Sequence, residues 1–353
     1  MVCGIIKYRH KNMGIKKDKT INIEKKLVEI KNKVEPKIKT LLEKGFTTYF
    51  QEEVSYPLGS GGKRLRPALA VLSCQMMGGK EKDILPVAAQ LEIFHNYTLI
   101  VDDIVDNGSL RRGKPTALKK FGTTFANLIS MDLAVSIFNN NSNSPLRLQK
   151  INQVLIKTMK EVTEGQMLDV LFERAGRKNE NYLQKKRIKN ISLKKYFKMI
   201  SLKTASLISA CCELGAMMAR VPQKKINTLK EFGFNLGMAF QIQDDILDIF
   251  GEEKTFGKQI GKDIEERKGG NIVLLLAQKE SSLIKKLLCQ KTISAGKIKD
   301  IVNLIEKTQA KEKATRLQER YFKQALVALK SLPQNEYNQF LKEITYFVVQ
   351  RKK

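Results

Sequence analysis

Asp102, Asp103 and Asp106 in LIVDDIVDNG, and Asp244, Asp245 and Asp248 in FQIQDDILDIFG, share one DDxxD spacing. On a helix the first and last carboxylates of each set lie four residues apart and stack on one face, with the middle one beside them. Like charges at that spacing repel. Each set also precedes a stop signal, Asn107-Gly108 or Gly251, so it sits at the negative end of a helix macrodipole. A single turn of this kind reads as a solvated helix end. Two copies, both closing apolar helices, point to ion binding. Clustered carboxylates without His or Cys suit a hard cation, and Mg²⁺ takes a few carboxylates together with waters and substrate phosphates. The expected ligand is therefore phosphorylated.

Cations that such a ligand needs follow in the motif loops. LGSGGKRLRP places Lys63, Arg64 and Arg66 behind a glycine-rich turn, and GSLRRGKPT places Arg111 and Arg112 directly after the first acidic turn. Lys203-Thr204, Lys258 and Lys268 lie in polar breaks of apolar segments, although any one of them alone reads as a surface lysine. A nucleotide-binding P-loop is excluded, because GxxxxGK[ST] would need Gly and Ser or Thr where Pro57 and Arg64 stand. The only histidines are His10 and His95, and the five cysteines show no CxxC spacing. A Ser-His-Asp triad, a zinc site and a disulfide framework are disfavoured together.

The elements that must carry these residues are helical. Ile23, Leu27, Ile30, Val34, Ile38 and Leu41 recur at three- and four-residue steps, with Pro36 expected to kink or break the run. The same period predicts helices over 86–106, 147–172, 193–220, 224–250, 272–290, 296–310 and 314–331, and no sustained alternation predicts a strand. The expected architecture is all-α: a flexible basic tail over 1–20 and a single helical bundle over 21–353 with a central cavity. Asn139 to Ser144 reads as a solvent loop, and the basic, non-periodic stretch from Arg174 to Asn190 as a link between two helices. The stretch Met199 to Val221 is interrupted by Lys203 and Glu213, and Ile272 to Ala277 is too short to cross a bilayer, so a cytoplasmic protein is expected.

LGSGGKRLRP, FHNYTLIVDDIVDNGSLRRGKPT, EGQMLD, KTASL, GMAFQIQDDILDIFG and GKQIGKDIEERKGGN together resemble the trans-isoprenyl diphosphate synthases of the short-chain farnesyl and geranylgeranyl type. The resemblance implies head-to-tail condensation of isopentenyl diphosphate with an allylic diphosphate (dimethylallyl, geranyl or farnesyl), in a helical bundle that dimerises. It implies that Asp102, Asp103 and Asp106 hold Mg²⁺ from one wall and Asp244, Asp245 and Asp248 from the other, with three Mg²⁺ per substrate-loaded site. Arg111, Lys203, Thr204, Gln241, Lys258 and Lys268 are implied to contact the allylic diphosphate. Lys63, Arg66, His95 and Arg112 are implied to bind isopentenyl diphosphate. A plain structural hydrogen bond is the alternative for His95.

Cleaving an allylic C–O bond creates a carbocation and a diphosphate anion, which metal ions and cationic side chains stabilise without any protein nucleophile. If the growing tail runs back along the helix that carries Asp102, Tyr97 lies about 7.5 Å up the axis at 1.5 Å per residue, and Phe94 one turn further. An aromatic at the fifth position before the first motif is similar to the archaeal geranylgeranyl type, so a C20 product is expected, with C15 or a mixture as the alternative. The family's usual Gly-Asp pair is Met131-Asp132 here, and Lys-Gly-Gly-Asn at 268 to 271 replaces Lys-x-Thr-Leu.

Three competing readings share parts of this pattern. A terpene cyclase would carry an Asn/Ser/Glu second motif in place of DDILD, and a non-catalytic partner subunit would have lost acidic residues. A basic scaffold follows from 64 Lys and Arg against 36 Asp and Glu, a net charge of +28. The lysines lack interleaved aromatics or a reading motif, so no nucleic acid is expected, and at most weak contact with a membrane surface.

Overall fold

A computed structural model describes residues 22–43, 48–139, 145–174, 177, 180–251, 261–290 and 293–350. The expected tail over 1–20, most of the Asn139 to Ser144 loop, and Lys258 lie outside the described residues. Almost all of the described chain is helical. The exceptions include a two-residue hairpin, β1 (Leu110–Arg111) with β2 (Lys114–Pro115), too short to register as alternation.

In chain order the helices are α1 (Ile23–Glu43), α2 (Gln51–Ser55), α3 (Leu65–Met76), α4 (Glu81–Val105), α5 (Ala117–Ser136), α6 (Pro145–Leu171), α7 (Asn181–Lys186), α8 (Leu193–Ile200) and α9 (Ser206–Met218). They continue with α10 (Gln223–Phe250), α11 (Lys262–Glu265), α12 (Ile272–Glu280), α13 (Ser282–Leu288), α14 (Ala295–Glu306), α15 (Ala310–Lys330) and α16 (Glu336–Gln350). The predicted break at Pro36 is absent. Pro36 lies inside a continuous α1, on its exposed face, while Ile30, Val34, Ile38 and Leu41 are buried on the other. Tertiary packing of that buried stripe outweighs the one hydrogen bond that proline forfeits. The helix predicted over 272–290 is instead two, because Ser281 turns extended and caps α13 by accepting from Ile284 N–H.

The core has two lobes, and α10 and α15 run through both. The first half of α10 (Ile226, Leu229, Phe232 and Leu236) belongs to a cluster with buried residues of α3, α4, α5 and α9, whereas its second half (Met238, Ile242, Ile246 and Ile249) belongs to one with buried residues of α8, α12, α14 and α15; α9, α12, α15 and α16 pack on α10 directly. Two helical runs, Glu81–Val105 and Leu193–Met218, are long and apolar enough to cross a membrane by composition, and the first of them was not anticipated. Both are mostly buried: 67% and 83% of their apolar windows lie inside the bundle, as expected for central core helices.

Between α8 and α9 the chain widens into a π-turn, Ser201–Ala205. Two glycines permit it. A Cβ at Gly165 on α6 would stand 2.3 Å from the backbone nitrogen of Lys203, and one at Gly237 on α10 would stand 2.6 Å from Cα of Ala205. The turn is thus clamped from two sides, and it carries Lys203 and Thr204. Isolated π-turns of this kind are commonly found at functional sites.

Candidate active site

The first acidic turn ends α4 in a Schellman arrangement. Asn107 adopts φ 50°, Gly108 N–H donates to the Asp103 carbonyl at 2.8 Å, and Asn107 N–H to that of Ile104. A Cβ at Gly108 would come within 2.9 Å of Asp103 Oδ1, so the glycine is needed for the carboxylate to lie over the turn. Each acidic side chain meets a cation from a different element. Arg111 on β1 forks onto Asp103 through Nε at 3.0 Å and Nη2 at 2.7 Å. Lys203 on the π-turn approaches Asp102 at 3.7 Å, and Lys268, between α11 and α12, donates to Asp106 at 2.6 Å.

Asp169 near the end of α6 stands behind both lysines, accepting from Lys203 at 2.8 Å and lying 3.8 Å from Lys268. Burial alone would raise its pKa, but the two ammonium groups outweigh burial and hold it below the usual carboxylate range. The same contacts raise Lys203 and Lys268 above an ordinary lysine against the opposing effect of burial, so both stay charged. For Asp102, burial wins over the more distant Lys203 and the carboxyl is pushed up.

In the second acidic turn, on the last turns of α10, the middle carboxylate is held by neutral donors. Asp245 is buried and accepts from the Tyr196 hydroxyl at 2.8 Å, from Ile272 N–H at 2.9 Å and from Gln241 Nε2 at 3.0 Å. Burial, reinforced by the nearby Asp263, moves its pKa well above the carboxylate range. Thr204 donates to Gln241 Oε1 at 2.7 Å, so the π-turn reaches the second motif through one amide. Asp248 accepts from Asp263 N–H at 3.1 Å, while Asn271 donates through Nδ2 to Asp263 at 2.8 Å and caps α12 with its Oδ1. Asp244 is half-buried on the same helix.

A third group gathers at the start of α3. Arg66 and His95 Nε2 are 3.0 Å apart, and His95 Nδ1 and Arg66 Nε are buried without a hydrogen-bond partner among the described residues. Burial first, then Arg66 and Arg112, hold His95 well below the ordinary histidine range, so it is neutral. Burial also lowers Arg66, partly offset by Cys211, Glu92, Asp244 and Asp102. Arg112 donates to the Gly61 carbonyl, and a Cβ on Gly62 would collide with its guanidinium. Lys63 Nζ lies 4.2 Å from the ring centre of Phe347 on α16. Arg64, in contrast, takes φ 48° and turns inward, where its guanidinium pairs with Glu92 at 2.7 Å and Glu35 at 2.9 Å. One left-handed residue therefore separates a structural arginine from its outward neighbours.

Residues 47–305 match the polyprenyl synthetase family model. The chain belongs to that family. It is 33% identical over 337 residues to a geranylgeranyl diphosphate synthase of Saccharolobus solfataricus, covering 92% of this chain and 97% of that one. It is also 33% identical over 288 residues to a short chain isoprenyl diphosphate synthase of Methanocaldococcus jannaschii, covering 78% and 82%. Among solved structures, a geranylgeranyl pyrophosphate synthetase from Pyrococcus horikoshii superposes with a TM-score of 0.83 at 26% identity, covering 93% of this chain and 98% of that one.

Within this polyprenyl synthetase the structure brings Asp102, Asp103 and Asp106 to Lys203, Arg111 and Lys268, Thr204 to Gln241 and Asp245, and Arg66 to His95, whereas Lys258 lies outside the described residues. Phe94 is fully buried and Tyr97 half-buried on α4, with ring centres 6.4 Å apart. Sequence reasoning missed Asp169, Glu173, Tyr196, Asp263 and Asn271. Asp169 had a visible signal, since it closes EGQMLD. Asp263 and Asn271 likewise lie in the quoted GKQIGKDIEERKGGN, whereas Glu173 and Tyr196 sit in unremarkable sequence and reach the site only through packing.

Proposed function

We propose that this polyprenyl synthetase condenses isopentenyl diphosphate head-to-tail with allylic diphosphates and stops mainly at geranylgeranyl diphosphate, with farnesyl diphosphate the alternative product. One observation carries the reading: three carboxylates of the first acidic turn are each answered by a cation from a separate element, with Asp169 behind two of them. Such a basin accepts a polyanion and its metal ions together, because the ammonium groups can re-pair with phosphate oxygens while the carboxylates take the metal.

The donor set fits Mg²⁺. The motif ligands are all carboxylates, the donor type that Mg²⁺ takes together with waters and phosphates. In this proposal Asp102, Asp103 and Asp106 hold Mg²⁺ from one side and Asp244 and Asp248 from the other. Asp245 holds the helix junction beneath them through its three neutral donors. Three Mg²⁺ bound with substrate would neutralise charge developing on the leaving diphosphate. Arg111, Lys203, Lys268 and Lys258 stabilise the same anion, with Thr204 and Gln241 orienting it. Lys63, Arg66, His95 and Arg112 hold isopentenyl diphosphate, whose double bond attacks the allylic cation. Neutral His95 is suited to binding, and the released diphosphate accepts the final proton.

The exposed apolar stripe Phe125, Leu128, Met131 and Val135 along α5 supports a homodimer as part of the proposal. A cytoplasmic setting belongs to it too, supported by the burial of both long apolar helices. The test is product chromatography: with Mg²⁺, isopentenyl diphosphate and farnesyl diphosphate, a C20 product is expected. Absence of condensation with every allylic diphosphate from C5 to C15 would overturn the reaction. Tyr97→Ser should lengthen the product, and an unchanged product spectrum would place the floor elsewhere.

A further inference from the structure

The basic stretch after α6 has no part in the reaction as described, yet it reaches the first acidic turn. Of the last four carbonyls of α4, the terminal turn satisfies three: Asp102 accepts from Asp106 N–H, Asp103 from Gly108 N–H and Ile104 from Asn107 N–H. The carbonyl of Val105 is left over. It accepts from Nη1 of Arg177, 72 residues further along, at 2.6 Å. The other edge of the same guanidinium forks onto Glu173 at 2.6 and 3.0 Å. Glu173 lies 3.7 Å from Lys268, which donates to Asp106 on the next residue of the acidic turn. The circuit Val105, Arg177, Glu173, Lys268, Asp106 therefore closes on itself.

Two backbone anchors keep the stretch in place. Arg174 N–H donates to the Arg267 carbonyl at 2.8 Å, immediately before Lys268, and Ile188 N–H donates to that of Leu171 at 2.8 Å. Gln184 on α7 donates to the Arg177 carbonyl at 2.8 Å.

We infer that Arg177 is a positioning residue, a C-terminal cap for the metal-binding helix supplied by the segment between α6 and α8, which fixes the height of Asp106 and Lys268 for the allylic diphosphate. A cation here also opposes the negative helix end on which the acidic turn sits. The inference rests on the site assignment proposed above. It applies to the allylic half, since the circuit runs through Asp106 and Lys268, which the proposal assigns to the allylic diphosphate.

The test compares wild type, Arg177→Gln, Arg177→Lys and Asp106→Asn in KM for each substrate, kcat, Mg²⁺ requirement and thermal midpoint. Arg177→Gln should raise the allylic KM and the Mg²⁺ requirement about tenfold, the size expected for one lost charge-assisted hydrogen bond. Its KM for isopentenyl diphosphate should stay at the wild-type value, and Arg177→Lys should recover part of the loss. An unchanged allylic KM, or equal rises in both KM values accompanied by a lowered midpoint, would overturn the inference. Asp106→Asn separates this from the site assignment: if that variant turns over as wild type does, the assignment itself has failed.

Discussion

The two acidic turns have the same spacing, but the carboxylates Asp103 and Asp245, second in each, have different partners. The turn on α4 is met by Arg111, Lys203 and Lys268, three full charges on side chains long enough to move. The turn on α10 rests on a tyrosine hydroxyl, an amide and a backbone N–H, all directed at Asp245. Charge pairs can exchange carboxylate for phosphate when a diphosphate enters, whereas the neutral donors sit in a buried joint between α8, α10 and α12 that has no reason to open. The first turn is thus built to respond to ligand, and Asp245 in the second to stay put. A repeated motif does not imply a repeated environment.

This contrast can be broken by substitution, beginning with the largest effect. Asp102→Ala and Asp244→Ala should each lower turnover by about a thousandfold while circular dichroism stays helical, since each removes charge stabilisation at the reacting centre. Full activity in either variant would remove that turn from the site. Asp169→Asn takes away the anion shared by Lys203 and Lys268, and turnover is expected to fall about a hundredfold with a smaller loss of stability.

Tyr196→Phe probes the other turn and should show the reverse balance, costing about 1–2 kcal/mol in stability with less loss of turnover than Asp169→Asn. A larger turnover defect in Tyr196→Phe than in Asp169→Asn would erase the distinction. The smallest effect concerns pH. His95 is held neutral in the fold, so below its ordinary value of 6.5 the unfolded chain binds a proton that the native protein does not. Stability should fall as pH drops beneath that value, by at most about 1.4 kcal/mol per pH unit from this group. Denaturant midpoints between pH 5 and 7 for wild type and His95→Gln would check it, with the variant expected to be flatter.

Much of the molecule was legible beforehand. The helical period placed α6 and α10 within two residues, and Asn107-Gly108 marked the end of α4 because a left-handed residue followed by glycine is a local, steric requirement. The misjudged features were those where packing outvotes local chemistry: Pro36 inside an unbroken α1, and Ser281 splitting a run of helical periodicity. Arg64 shows the same limit. Nothing in KRLR says which cation turns inward, since that depends on φ 48° at one residue and on Glu92 waiting 28 positions away.

What the sequence by itself determined is the chemistry on offer: two carboxylate turns at helix ends, cations in the following loops, and too few histidines or paired cysteines for other catalysis. These follow from residue type and near spacing, which local geometry converts directly into shared faces. Only the tertiary structure decided which charge answers which. Lys268 reaches Asp106 across 162 residues, Arg177 reaches the end of α4 across 72, and the π-turn that presents Lys203 exists because glycines on two other helices leave room for it. Pairings of that kind are fixed by how helices stack, and no window along the chain contains both partners.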